Sequence, residues 1–181
     1  MKSLGMAAFV GAVMATGSLL AMQDGKPAAA AAGSAAQRVG IYDSRGVAIA
    51  FAGSRHNDAF HAGVKSRHDA AKQAGDAATV AKIEAEMQAR QKRFHVMGFA
   101  KADVSTLLEP IAGQLPAFAD RAGIDVLVSK WDVDWVRSGV ELVDVTEELA
   151  KLFEPKEQSL KWIREVRTKE PLPAAEIDHE D

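Results

Sequence analysis

Residues 124–153 read IDVLVSKWDVDWVRSGVELVDVTEELAKLF, and this stretch decides the fold. Ile124, Val126 and Val128 fall on one face of an extended chain and Leu127 on the other. The β-rich run continues through Trp131, Val133 and Trp135. Two residues apart at each step, these last three share a strand face, where a sheet core or a subunit interface is the expected environment. Ser138-Gly139 turns the chain, so Val140 to Val143 is expected to return as a short antiparallel strand. Asp144 then opens a helix: with Glu147 it matches a capping box, and Leu149, Leu152 and Phe153 supply the packing face.

Upstream, Ala122-Gly123 stops a helix with a residue suited to a left-handed cap. Before that stop, steps of three and four from Val80 reach Ala122 through thirteen positions, eleven of them apolar, without losing phase. The two polar members are Arg90 and Lys101. Such a seam belongs to a helix packed lengthwise on a partner, while Gly98, Pro110 and Pro116 mark a kink or two helices sharing one phase. Residues 55–74 are polar and helix-compatible, with Asn57 or Asp58 as cap and Phe60 and Val64 at i, i+4. Because only Gly75-Asp76 separates the segments, 55–74 is the natural antiparallel partner of the seam. Further back, Val39, Ile41, Val47, Ile49 and Phe51 read as one strand, bent near Gly46.

The two ends of the chain complete the layout. Residues 1–22 carry Lys2 and then an uncharged run of 19 residues, Leu4 to Met22. This is the pattern of a secretory signal, or of an N-terminal anchor if it stays uncleaved. An Ala/Gly linker follows over 23–37, and the folded part is expected to face an extracytoplasmic, periplasmic space. Beyond Pro155 an extension (154–181) carries Leu160, Ile163 and Val166, then ends in the acidic PLPAAEIDHED, expected to be disordered. The order of elements implies an α+β fold: a small antiparallel or mixed β-body over 38–153, from which a helical hairpin, about 54–103, projects. Ile41, Ile49, Val126, Val128, Trp131 and Trp135 are the expected core or oligomer interface of that body. Three short strands leave open edges, and a second chain is the physical remedy.

Composition limits the function. There is no cysteine, hence no disulfide framework and no thiolate metal site. A formal charge of −3 argues against nucleic acid as a partner. No G-x-S-x-G, Gly-rich phosphate loop or H-E-x-x-H occurs, so neither an enzyme nor a cofactor is expected. His61 and His68 stand two helical turns apart, about 10 Å, too far to share a metal ion. Charge is unevenly placed: residues 54–103 hold nine basic against six acidic side chains, and 104–181 nine against seventeen. A basic hairpin on an acidic body would gather acidic clients in a salt-sensitive way.

These residues carry a resemblance. Ile124-Asp125-Val126-Leu127-Val128 and Asp144-Val145-Thr146 resemble the closing strand and helix of the Skp/OmpH family of periplasmic chaperones. Leu107-Leu108-Glu109-Pro110-Ile111 resembles the helix before that strand, and RVGIYDSRGV (38–47) the family's first strand, with Asp43 at its end. The resemblance implies a homotrimer whose strands form a shared β-body and whose hairpins surround unfolded exported proteins without ATP. Under it the client-binding residues are Arg55, Lys65, Arg67, Lys72, Lys82, Lys92 and Arg93. The rival expectation is a structural scaffold of the cell envelope, close to or anchored in a membrane, that keeps the fold without client binding.

Overall fold

The structure, a computed structural model, describes residues 37–177. The signal or anchor over 1–22, nearly all of the linker and the last four residues lie outside the described residues. The chain is α+β. Strand β1 (Arg38–Tyr42) leads into helix α1 (Ser44–Ala52), and α2 (Arg55–Gln73) and α3 (Ala77–Phe99) follow. Next come α4 (Ser105–Leu108), a 3-10 turn (Glu109–Gln114), α5 (Leu115–Ala122) and strands β2 (Val126–Ser129) and β3 (Glu141–Asp144). Helices α6 (Thr146–Lys151), α7 (Glu157–Val166) and α8 (Ala174–Ile177) complete it.

The sheet brings the ends of the chain together, but it is parallel throughout, not antiparallel or mixed. Its order is β2-β1-β3, with Val39 opposite both Val126 and Leu142. The expected return of Val140–Val143 against β2 is therefore corrected: β3 takes the other side of β1. Residues 130–140 cross back from the carboxyl end of β2 to the amino end of β3. This register sorts the side chains. Gly40, Leu127 and Val143 share the inner face, where Ile124 and Val145 press so close to Gly40 that a Cβ there would collide with them. Val39, Ile41, Val126, Val128 and Leu142 share the outer face. Ile41, Val126 and Val128 are thus not core residues: Ile41 and Val128 are half-buried, and Val126 is 51% exposed.

The first strand is shorter than its alternation suggests. It ends at Tyr42 because Asp43 caps a helix, its carboxylate accepting from the Arg45 amide at 3.0 Å. Val47, Ile49 and Phe51 consequently belong to α1, and Ile49 packs half-buried against the helical core, not in the sheet. The β-rich run after 124 also stops early, at Ser129. Trp131 turns toward the carboxyl end of the sheet, and Trp135 is 79% exposed on the crossover, the opposite of a core position. Glu147 does not close a capping box: Asp144 accepts from Thr146 N and Oγ1, while Glu147 binds Arg164 at 2.7 Å.

The apolar seam is not one helix. α3 ends at Phe99, and the chain runs irregularly from Ala100 to Val104 before resuming. Pro110 and Pro116 then sit at the starts of the 3-10 turn and of α5, where a missing amide costs nothing. Val104, Ile111 and Phe118 keep the seam's phase because they bury in the same core as Val47, Leu149 and Phe153. Gly123 caps α5 at φ 61°, as its position after the helix predicts. Downstream of Pro155 the chain is built into the body. Ile163 is fully buried, α7 lies on α1, and α8 stands where composition predicts disorder.

Candidate functional site: a cationic helix pair

α2 and α3 are about 28 and 34 Å long at 1.5 Å per residue. Ser54 caps the first, in place of the expected Asn57 or Asp58, and Asp76 caps the second. Gly75 supplies φ 69° in the connection between them. Their antiparallel pairing is fixed near each end. At the tip side, His68 Nε2 lies 3.1 Å from Glu84 Oε1. Toward the root, Arg90 donates to Asn57 Oδ1 at 2.9 Å, its guanidinium 4.0 Å from the centre of Phe60 and 4.4 Å from that of Phe94. Arg90 therefore fills its polar seam position as a cation between two rings. Along the two helices burial is thin, confined to Val64, Ala71, Ile83 and Gly98.

Most of the pair's surface is solvent-facing, and the seven basic residues singled out from the sequence are all exposed on it. They do not act as one set. Arg55 pairs with Glu154 at 3.5 Å and Lys65 with Asp69 at 2.6 Å, so both are neutralised locally. Arg67, Lys72, Lys82 and Arg93 have no ion-pair partner among the described residues, whereas Lys92 is engaged. The uncompensated positive charge is thus narrower than the sequence count, running along both helices from Arg67 to Arg93.

A second charged cluster, missed in the sequence, sits at the carboxyl ends of β1 and β2. Asp43, fully buried, accepts from Arg45 Nη2 at 2.7 Å and Nε at 3.0 Å, and Lys130 Nζ lies 2.8 Å away. Burial pushes the Asp43 carboxyl up, but these hydrogen bonds and charges outweigh it and hold the group below its ordinary value. Arg45, 1% exposed, reaches on to the Lys169 carbonyl at 3.0 Å. Lys130, Lys101 and Arg45 lie 4.3, 5.1 and 5.4 Å from the Trp131 ring. Parallel sheets often bind ligands at this end. Here Asp43, Ser44 and Arg45 are sealed and their charges paired, so the cluster is a lock that ties the strand ends to the C-terminal segment. The signal for it was Asp43 itself, an acid closing a strand and opening a helix.

Among the described residues no three His, Asp or Glu side chains converge on a point able to hold a metal ion. No described helix is long and apolar enough to cross a membrane, and the run from Leu4 to Met22 lies outside the described residues. No protein-family model, curated protein or solved structure matches this chain.

Proposed function

We propose that the chain is an ATP-independent, exported holdase that grips unfolded envelope proteins along the α2–α3 pair and assembles as a homotrimer through its sheet. The observation that carries the client-binding part is the row of exposed cations without local partners, Arg67, Lys72, Lys82 and Arg93, on a helix pair with almost no core of its own. Long-range attraction from such a row draws acidic, unfolded chains and releases them readily, because each contact remains solvated and screened. Support for assembly comes from the sheet. Parallel sheets are ordinarily covered on both faces. The 130–140 crossover shelters only part of the outer one, beside an open concavity of about 840 Å³, and Val126, Leu142 and Trp135 remain 51%, 43% and 79% exposed. Among the described residues both outer strands also have one edge without a strand partner.

The rival scaffold role draws on the length of the pair, which at about 28–34 Å is short for enclosing a large folding protein. Diluting a urea-unfolded outer-membrane barrel into low-salt buffer separates the two. The holdase suppresses its light scattering at stoichiometric protein and loses that effect as salt rises. Unchanged scattering at low salt leaves the scaffold.

A further inference from the structure

A second apolar surface lies away from both the cationic pair and the outer sheet face. Helices α3 and α7 both pack on α1, and between them runs a groove of about 710 Å³. Ala48 and Ala52 of α1 line it, with Phe94 and Phe99 on the α3 wall and Trp162 on the α7 wall. Phe99 and Trp162 are 51% and 52% exposed, one from each wall. Gly98 is buried in the α3 wall, yet a Cβ built on it meets nothing within 4 Å, so the space it faces is open. Along α7, Ile163 and Val166 bury inward, while Gln158, Trp162 and Glu165 follow at steps of four and three and line the groove, joined by Lys169 in the turn just past the helix end.

The charges decide the occupant. Lys156 is committed to Asp58 at 3.3 Å. Glu165 and Lys169 have no ion-pair partner among the described residues. The groove therefore offers one uncommitted anion and one uncommitted cation, four residues apart beside an exposed indole. A strongly acidic or strongly basic partner meets a like charge there. A second copy related by a two-fold axis meets its complement, since in such an interface each residue pair occurs twice with the roles exchanged. We propose that this groove is a self-association surface, in which Glu165 and Lys169 pair reciprocally across a two-fold axis and Trp162 of each copy enters the space beside Gly98 of the other. The proposal is independent of assembly through the sheet.

Sedimentation of the full chain across a micromolar concentration series tests it. The expected result is a doubling of mass with concentration, from whatever species the sheet produces. Glu165→Lys and Lys169→Glu alone each turn two attractive pairs repulsive and weaken the doubling about tenfold, and the combined swap restores it. Gly98→Phe, whose Cβ would meet nothing within 4 Å, projects a ring into the groove and abolishes doubling, with circular dichroism and Tm reading whether the fold is kept. Val126→Asp, on the outer sheet face, leaves the doubling intact and so separates this surface from the sheet. Absence of doubling overturns the proposal. So does a combined swap no better than its single variants, or a shift of tryptophan emission by palmitate or an amphipathic peptide without doubling.

Discussion

At the scale of single residues, Asp43 ties the end of the first strand to three other parts of the chain. It caps α1, neutralises the buried Arg45, accepts from Lys130, and through Arg45 reaches the Lys169 carbonyl. Asp43→Ala leaves the Arg45 guanidinium buried without its anion, and a loss of about 3–5 kcal/mol is expected in urea unfolding. Arg45→Met with Asp43→Leu removes both charges and should recover much of that loss, because the penalty belongs to the orphaned partner. The same residue governs the acid response. The carboxyl of Asp43 is depressed, as is that of Asp144 (where hydrogen bonds from Thr146 and Arg167 outweigh burial). Glu147 is held down to about 2 by its hydrogen bonds with Arg164. A depressed carboxyl stabilises the fold above its unfolded value, and the gain is lost as pH falls through the folded one. Stability should therefore be flat near neutrality and decline from about pH 4.5 toward pH 2. Tyr42 works oppositely: burial first, then the carboxylates of Asp132 and Asp103, raise its phenol above 10.0, so its contribution is lost as pH rises beyond that value. Circular dichroism across pH reads both limbs.

At the scale of elements, what the sequence showed and what it hid have separate physical causes. The α2–α3 pair was legible because a 3-4 rhythm, a short connection and a glycine with positive φ all agree. The nine residues of α1 were not, since Val47, Ile49 and Phe51 alternate as strand residues do, and only the cap at Asp43 distinguishes the helix. The apolar seam from Val80 to Ala122 records which residues reach the core, not whether the backbone is continuous. Strand β3 looked like the second half of a hairpin because it follows β2 closely. Its partner is instead β1, whose two sides are both open, and pairing order is set by such long-range competition rather than by local pattern. Trp131 and Trp135 could not be placed without knowing that β2 ends at Ser129. Two substitutions examine these elements. Ile163→Ala, emptying a fully buried site between α7 and α1, is expected to cost about 2–5 kcal/mol, whereas a disordered extension would cost nothing. Gly40→Ala pushes a methyl against Ile124 and Val145 and is expected to cost about 1–3 kcal/mol. Denaturant midpoints measure both.

At the scale of the whole molecule, the surface proposed to hold clients and the surface proposed for assembly are separate. The cations Arg67, Lys72, Lys82 and Arg93, unpaired among the described residues, lie along the helix pair, and the exposed aliphatic side chains Val126 and Leu142 lie on the outer face of the sheet. Under the proposed assembly, Val126→Asp with Leu142→Asp places two carboxylates on the outer face and should convert a trimer to a monomer in light scattering, with the fold retained by circular dichroism. Under the proposed function, reversing Arg67, Lys72, Lys82 and Arg93 to glutamate should remove client binding while shifting Tm little, because none of the four has an ion-pair partner among the described residues. The most direct test of the central claim follows from that variant. Fluorescence anisotropy of a labelled, unfolded outer-membrane protein is titrated with the native chain and with the four-residue variant at low and moderate salt. Binding by the native chain that weakens with salt, and that the variant has lost at low salt, is the expected result. Equal binding by both proteins, or none by the native chain at low salt, contradicts the account.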